Sequence, residues 1–132
     1  MSNVGQNITR FKSFITSQDR NNLNNHKSGI IWLTWLPALG KSTIAYLTEV
    51  ELFKLNVRTY VLDGDNVRHG LNSDLGFKRQ DRRENVRHVV EVANILADAG
   101  LLVLCAFITP FEVDREFIRD KLRNANYTEV YV

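Results

Sequence analysis

Cysteine, methionine and proline are nearly absent from this sequence: one, one and two residues respectively in 132. A single cysteine cannot close an internal disulfide, so a disulfide-stapled secreted scaffold is excluded. No apolar run approaches the roughly 20 residues of a membrane-spanning helix. The opening Met1-Ser2-Asn3-Val4-Gly5 lacks the apolar core of a secretory signal, and a cytoplasmic location is the expectation. Neither sign of charge is in large excess. Seventeen basic against fifteen acidic residues leave a formal +2, which gives no reason to expect nucleic-acid or membrane binding. Internal repeats and low-complexity tracts are also missing. What remains is an ordinary globular composition, 44% hydrophobic and 24% charged, sufficient for one domain with a modest core.

The first 28 residues are polar and read as an N-terminal extension, with residues 29–132 forming the domain. Ser17-Gln18-Asp19-Arg20 has the composition of one helical turn, and Asn21-Asn22-Leu23-Asn24-Asn25 reads as a loop. Beyond residue 29 the pattern alternates. Ile30-Ile31-Trp32-Leu33 is a short apolar run and predicts a buried strand. Ser42 to Leu55 predicts a helix with Ile44, Ala45, Leu52 and Leu55 as its apolar stripe. Val57 to Leu62 predicts a second strand. Val86, Val89, Val90, Ala93, Leu96 and Ala97 recur at helical spacing, with Gly100 placed to stop that helix. Leu101 to Phe107 is a continuous apolar run, expected of a strand covered on both faces. Phe117, Ile118 and Leu122 predict another helix, and Tyr127 to Val132 a last strand. Alternating strands and helices imply an α/β fold, a parallel sheet with helices on both faces. The expected spatial order is 2-3-1-4. Because the chain stops on a strand, the expectation is a domain incomplete at its C-terminus.

Ligands of open parallel sheets bind beyond the carboxyl ends of the strands. Three segments fall there. Trp35-Leu36-Pro37-Ala38-Leu39-Gly40-Lys41-Ser42-Thr43 ends like a phosphate-binding P-loop, G-x-x-x-x-G-K-[ST]. Backbone N–H groups at the helix start would face phosphate, Lys41 would reach the β- and γ-phosphates, and Ser42 would ligate Mg²⁺. The first pattern glycine is, however, Trp35, and by itself the segment reads equally as a turn with an accidental Gly-Lys-Ser. Asp63 and Asp65, two apart at a strand end, can hold Mg²⁺ through water and face a substrate hydroxyl as base. Asp-Gly-Asp-Asn is also simply a good turn sequence. Arg82 and Asn85 share a helix face as one arm of an anion and hydroxyl clamp. Phe77 and Phe111 can sandwich a purine; as core aromatics they would need no ligand. His26, His69 and His88 are scattered without metal-ligand spacing, so no zinc site is expected. His69 reads as a surface histidine at a helix start, and Cys105 as a core residue.

The run Leu62-Asp63-Gly64-Asp65-Asn66-Val67-Arg68-His69-Gly70-Leu71-Asn72, with Asp74-Leu75-Gly76-Phe77, Asp81-Arg82 and Glu84-Asn85-Val86-Arg87, closely resembles the adenylyl-sulfate kinase family. So do Ala97-Asp98-Ala99-Gly100, Ala106-Phe107-Ile108-Thr109-Pro110-Phe111 with Asp114-Arg115, and upstream Asn25-His26-Lys27 and Ile31-Trp32-Leu33-Thr34. The likeness runs from about residue 15 to the end. It implies a P-loop kinase fold and transfer of the ATP γ-phosphoryl group to the 3′-hydroxyl of adenylyl sulfate, giving 3′-phosphoadenylyl sulfate for sulfate assimilation. By resemblance Gly40, Lys41, Ser42 and Thr43 belong to the ATP-phosphate site, with Ser42 and Asp63 at Mg²⁺. Asp65 is the expected base, assisted by Asp63 and Lys41. Arg68, Arg82 and Asn85 are expected on the phosphosulfate and sugar, Phe77 and Phe111 on the adenine. Ile108, Thr109 and Pro110 are expected to supply backbone around the substrate. A homodimer, or fusion to or association with a sulfate-activating partner, is left open.

The sequence departs from the family at the loop, where Trp35, Ala38 and Leu39 replace two glycines and a serine. Thr109 stands where serine is usual. The resemblance also leads to the expectation that the family's last strand and C-terminal lid are not part of this sequence. Two alternatives therefore stand beside the kinase. One is a degenerate relative that binds adenylyl sulfate or a partner chain without turnover. The other is a different small-molecule P-loop kinase, against which the long Asp63–Asn72 run argues.

Overall fold

The computed structural model describes residues 12–34, 38–76, 78–107, 109 and 111–131, with backbone alone for residues 38–42, 65 and 68. Four strands form one sheet: β1 (Gly29–Thr34), β2 (Thr59–Asp63), β3 (Leu102–Ala106) and β4 (Tyr127–Tyr131). All pairings are parallel and the order is β2-β3-β1-β4. This is the expected order, with β1 and β3 adjacent from Gly29↔Leu102 to Leu33↔Ala106. A right-handed crossover from each strand to a parallel neighbour demands an intervening helix.

The sheet's two faces build two cores. Ile30, Trp32, Leu62, Val103, Cys105 and Phe107 face α4 (Arg79–Asp98) and α5 (Glu112–Leu122). Leu33, Val61, Leu104 and Ala106 face α2 (Ala38–Lys54), which contributes Ala45. The runs at β1 and β3 are continuous because alternate residues enter opposite cores. On α4 the expected Val86, Val89, Val90, Ala93 and Ala97 are buried, each valine worth roughly 1.5–3 kcal/mol. Gly100 follows at φ +102°, a left-handed conformation that only glycine adopts without strain.

Three local expectations are corrected. Asn21–Asn24 are not loop: α1 spans Ser17–Asn24. A capping box between Thr16 and Asp19 starts it, and Asn25 at φ 58° ends it. Tertiary bonds hold it, from Asn24 Nδ2 to the Gly100 carbonyl at 3.1 Å and from Ser17 Oγ to Asp98 at 2.7 Å. Polar composition concealed this helix because its partners are hydrogen bonds rather than apolar contacts. The α2 stripe is also narrower than predicted. Ala45 is fully buried and Leu52 partly so, but Ile44 and Leu55 are exposed, as are Leu47, Val50 and Phe53. Lastly, α2 begins at Ala38 rather than Ser42, so the end of the expected phosphate loop is already helical. Ala38 and Leu39 are the best helix formers.

Candidate active site at the carboxyl edge of the sheet

Each strand ends at one rim, and among the residues singled out from sequence Asp63, Arg82, Asn85, Thr109 and Phe111 lie on segments that reach it. Asp63 closes β2. Its backbone is extended, and its carboxylate caps α3 (Gly64–His69) by accepting from Asn66 N at 2.9 Å. The Asp-Gly-Asp-Asn segment is thus a helix start rather than a free turn. Asp63 is 5% exposed, and its other oxygen accepts from Asn66 Nδ2 at 3.0 Å and from the Tyr46 hydroxyl of α2. The Tyr46 oxygen in turn accepts from Asn66 Nδ2 at 2.7 Å. Donating to Asp63 pushes the Tyr46 phenol up to about 12, with partial burial adding to the effect. Tyr46 was not foreseen from sequence. Its signal is its place on α2, one turn beyond Ser42.

The helix after β2 returns antiparallel to the strands, so the N-terminal turns of α4 reach the same rim. The Arg82 guanidinium lies 4.8 Å from the centroid of the Phe111 ring, a cation–π contact that joins α4 to the segment after β3. Arg82 Nε is buried without a partner. Asn85, one turn on, is 9% exposed. Its Oδ1 accepts from Asn72 Nδ2 at 2.6 Å. Thr109 is buried and serves structure: its hydroxyl pairs with Thr34 Oγ1 at 3.0 Å, tying the ends of β1 and β3. The Thr109 carbonyl accepts from Arg115 Nη1 at 2.9 Å. Its backbone carbonyl is therefore already engaged by the protein.

Phe77, Ile108, Pro110 and Trp35 lie outside the described residues, as do the side chains of Gly40–Ser42, Asp65 and Arg68. Asp65 and Arg68 have their backbone in α3. Thr43 is exposed on α2. His69 is exposed too, but as the last residue of α3 rather than at a helix start. Cys105 is fully buried, and burial pushes its thiol far up, so it has no nucleophilic character. Among the described residues no cluster of three or more metal-ligating side chains exists, and no helix is long and apolar enough to cross a membrane. A cavity of about 720 Å³ lies at the opposite, amino edge of the sheet between Leu23, Phe53, Arg58 and Leu101. Size alone does not make it the reaction centre. It lies at the far end of the strands from Asp63, Arg82 and Asn85, and the carboxyl-edge rule outweighs it.

A parallel sheet in this order, with a helix-capping aspartate and an arginine–asparagine pair at its carboxyl rim, defines a P-loop kinase type of nucleotide-binding protein. The adenylylsulphate kinase family profile matches residues 27–132, and the chain belongs to that family. The adenylyl-sulfate kinase of Thermodesulfovibrio yellowstonii is 50% identical over 99% of this chain and 66% of its own length. That of Oceanobacillus iheyensis is 48% identical over 98% of this chain and 65% of its own. The chain thus spans just under two thirds of the length of these relatives. The APS kinase of Mycobacterium tuberculosis, solved in complex with AMPPNP and APS, superposes with a TM-score of 0.75 at 44% identity, over 80% of this chain and 62% of that one.

Proposed function

We propose that the chain carries out adenylyl-sulfate kinase chemistry, moving the γ-phosphoryl group of ATP to the 3′-hydroxyl of adenylyl sulfate. The observation that carries this reading is the rim itself: Asp63 capping α3, Arg82 stacked on Phe111, and Asn85 beside it. In this reading Arg82, Asn85 and Arg68 hold the phosphosulfate and sugar, and Phe111 and Phe77 the adenine, with Ile108, Thr109 and Pro110 as backbone wall. Asp65 takes the proton of the attacking hydroxyl. Lys41 and the helix start at Gly40–Thr43 meet the ATP phosphates. Positioning and charge neutralisation dominate such a transfer.

Mg²⁺ arriving with ATP would neutralise the phosphate oxygens. Ser42 and Asp63 are the residues proposed to hold it. Asp63 fits contact through a water: Oδ1 carries one bond, from Asn66 N, while Oδ2 already carries two, from Tyr46 and Asn66. The proposed setting is cytoplasmic, with a homodimer or a sulfate-activating partner in keeping with the family.

One observation favours a second reading, binding without turnover. Helix α2 starts at Ala38, where a phosphate loop should still be open. The expected balance is measurable adenylyl sulfate binding, poor ATP binding and slow turnover. Calorimetry with each nucleotide and a coupled turnover assay test it. Asp65→Ala should remove turnover far more than adenylyl sulfate binding, and equal losses would reassign it to ground-state binding. The triple change Trp35→Gly, Ala38→Gly and Leu39→Ser should tighten ATP. Equal ATP affinity before and after would sink the loop argument, and no adenylyl sulfate binding at all would sink the function.

A further inference from the structure

Four polar side chains form a chain from solvent into the core: Glu84, His88, Asn72 and Asn85. Asn72 is wholly buried, although it lies in the turn after α3. Its Nδ2 donates to Asn85 Oδ1 at 2.6 Å and lies 3.5 Å from the Asn85 main-chain carbonyl. Its Oδ1 faces His88 Nδ1 at 2.5 Å. The far ring nitrogen, Nε2, is 3.3 Å from Glu84 Oε2, and Glu84 is itself held by Arg87.

The direction of this chain follows from the one member that cannot turn over. A main-chain carbonyl is always an acceptor. Were the Asn72 amide flipped, its oxygen would face that carbonyl and the arrangement would be repulsive. Asn72 therefore presents its NH2 group to Asn85. Its oxygen is then left for His88, whose Nδ1 must carry a proton to meet it; the contact of Nε2 with the Glu84 carboxylate is a hydrogen bond only in the ring that carries a proton on both nitrogens. Asn85, with Oδ1 taken, keeps both Nδ2 hydrogens without a partner among the described residues. They lie on the helix face shared with Arg82. That buried Arg82 Nε also lacks a partner.

We propose that Asn72 and His88 are positioning residues, which fix the Asn85 amide so that it offers donors, not an acceptor, to the anionic or hydroxyl oxygens of adenylyl sulfate. The proposal rests on the function assigned above. A free asparagine side chain would sample both orientations and present its oxygen to an anion in one of them. The relay removes that orientation before the ligand arrives. Structure alone would also explain a buried asparagine satisfying its neighbours, so the test must read polarity and ligand selectivity together.

Nitrogen-15 NMR of the histidine rings reads which ring nitrogen carries a proton without any ligand. Protonated Nδ1 at His88 is expected, and a proton on Nε2 alone would overturn the relay. Calorimetry supplies the functional arm. His88→Leu should weaken adenylyl sulfate by roughly 3- to 10-fold, the worth of one hydrogen bond, and leave ATP within about 2-fold. His88→Gln, whose amide can still donate to Asn72 Oδ1, should recover most of the loss. Equal weakening of both nucleotides, or an unchanged adenylyl sulfate affinity in His88→Leu, would overturn the positioning role. If the unmodified chain binds no adenylyl sulfate, the function falls and the ligand named here with it. The tautomer then still upholds or overturns the relay on its own.

Discussion

Removing one oxygen atom, in Tyr46→Phe, tests how the rim is held together. The hydroxyl donates to the Asp63 carboxylate and accepts from Asn66 Nδ2. A hydrogen bond to a charged group is worth roughly 1.5–3 kcal/mol and a neutral one about 1 kcal/mol. Raising the phenol from 10 to about 12 corresponds to roughly 2.7 kcal/mol by linkage. Tyr46 is 37% exposed, so water reaches the site and replaces much of both contacts. About 1 kcal/mol of destabilisation is the figure that survives this screening. Asp63 keeps its Asn66 N contact and continues to cap α3. Urea unfolding of both proteins measures the difference at unchanged m-value. The sign of its pH dependence is fixed. A phenol whose folded value lies above its unfolded value stabilises fully below pH 10 and loses that contribution as pH rises through about 12. The wild-type advantage should fade over that window. No advantage near neutral pH, or one of about 3 kcal/mol or more, would refute the reasoning.

Further substitutions follow from the same geometry. Gly100→Ala places a Cβ 2.7 Å from Asn24 Nδ2 at a backbone φ of +102°; the left-handed cost of about 1–2 kcal/mol plus the displaced Asn24 bond should lower stability by roughly 2–3 kcal/mol in urea melts. Ile118→Ala, at a fully buried position between α4, α5 and the sheet, should cost roughly 2–5 kcal/mol on the same assay. Arg119 holds Glu129 at 2.6 Å and Glu112 at 3.0 Å. Although burial pushes Glu129 up, Arg119 and two tyrosine hydroxyls bring it net below its ordinary value of 4.5. Its stabilisation is thus present above that value and lost as pH falls through the lowered one. Arg119→Met should shrink this acid-limb dependence, the two tyrosine bonds remaining, while costing under about 1 kcal/mol near neutrality, because the arginine is 41% exposed.

The sheet was legible because its signals are local and mutually consistent. Ile30–Leu33 and Leu101–Phe107 read as buried strands whichever helix covers them, and the crossover rule then fixes what joins them. Helix α4 was legible because five apolar residues at helical spacing all enter one core. Elements held by polar contacts were not. Asn21–Asn24 look like loop until Asn24 meets Gly100, some 76 residues away. Helix α3 is hidden because its start is an Asp-Gly-Asp-Asn sequence that suits a turn equally well. At the rim, Asp63, Arg82, Asn85 and Phe111 stood out as chemistry-bearing types. Tyr46, Asn72 and His88 did not: each acts through another side chain, and no sequence spacing reports a 13- or 16-residue contact such as Asn72–Asn85 or His88–Asn72. Exposed Ile44 and Leu55 likewise depart from the expected stripe, of which Ala45 and, in part, Leu52 meet the sheet.

The start of α2 links the sequence departures to chemistry. A helix leaves its first four N–H groups without internal partners, and those are the donors that an anion at a helix N-terminus uses. With Ala38 as first helical residue, the free donors within α2 belong to its first turn, Ala38 to Gly40. From Ser42 onward each N–H is turned toward the carbonyl four residues back. A phosphate loop ending in Gly40-Lys41-Ser42 needs the opposite, with the helix starting near Lys41 and the N–H groups of that turn open. Ala38 extends the helix backwards because it favours helix by about 1 kcal/mol over glycine, and Leu39 adds a few tenths of a kcal/mol over serine. Together these preferences amount to roughly a 10-fold bias toward the extended helix. On the proposed function, ATP would have to reverse that bias before it could be cradled, whereas Arg82, Asn85 and Phe111 stand on a different helix and strand end and pay nothing of it. The two substitutions are therefore expected to weaken the proposed ATP site selectively, leaving the rest of the rim in place.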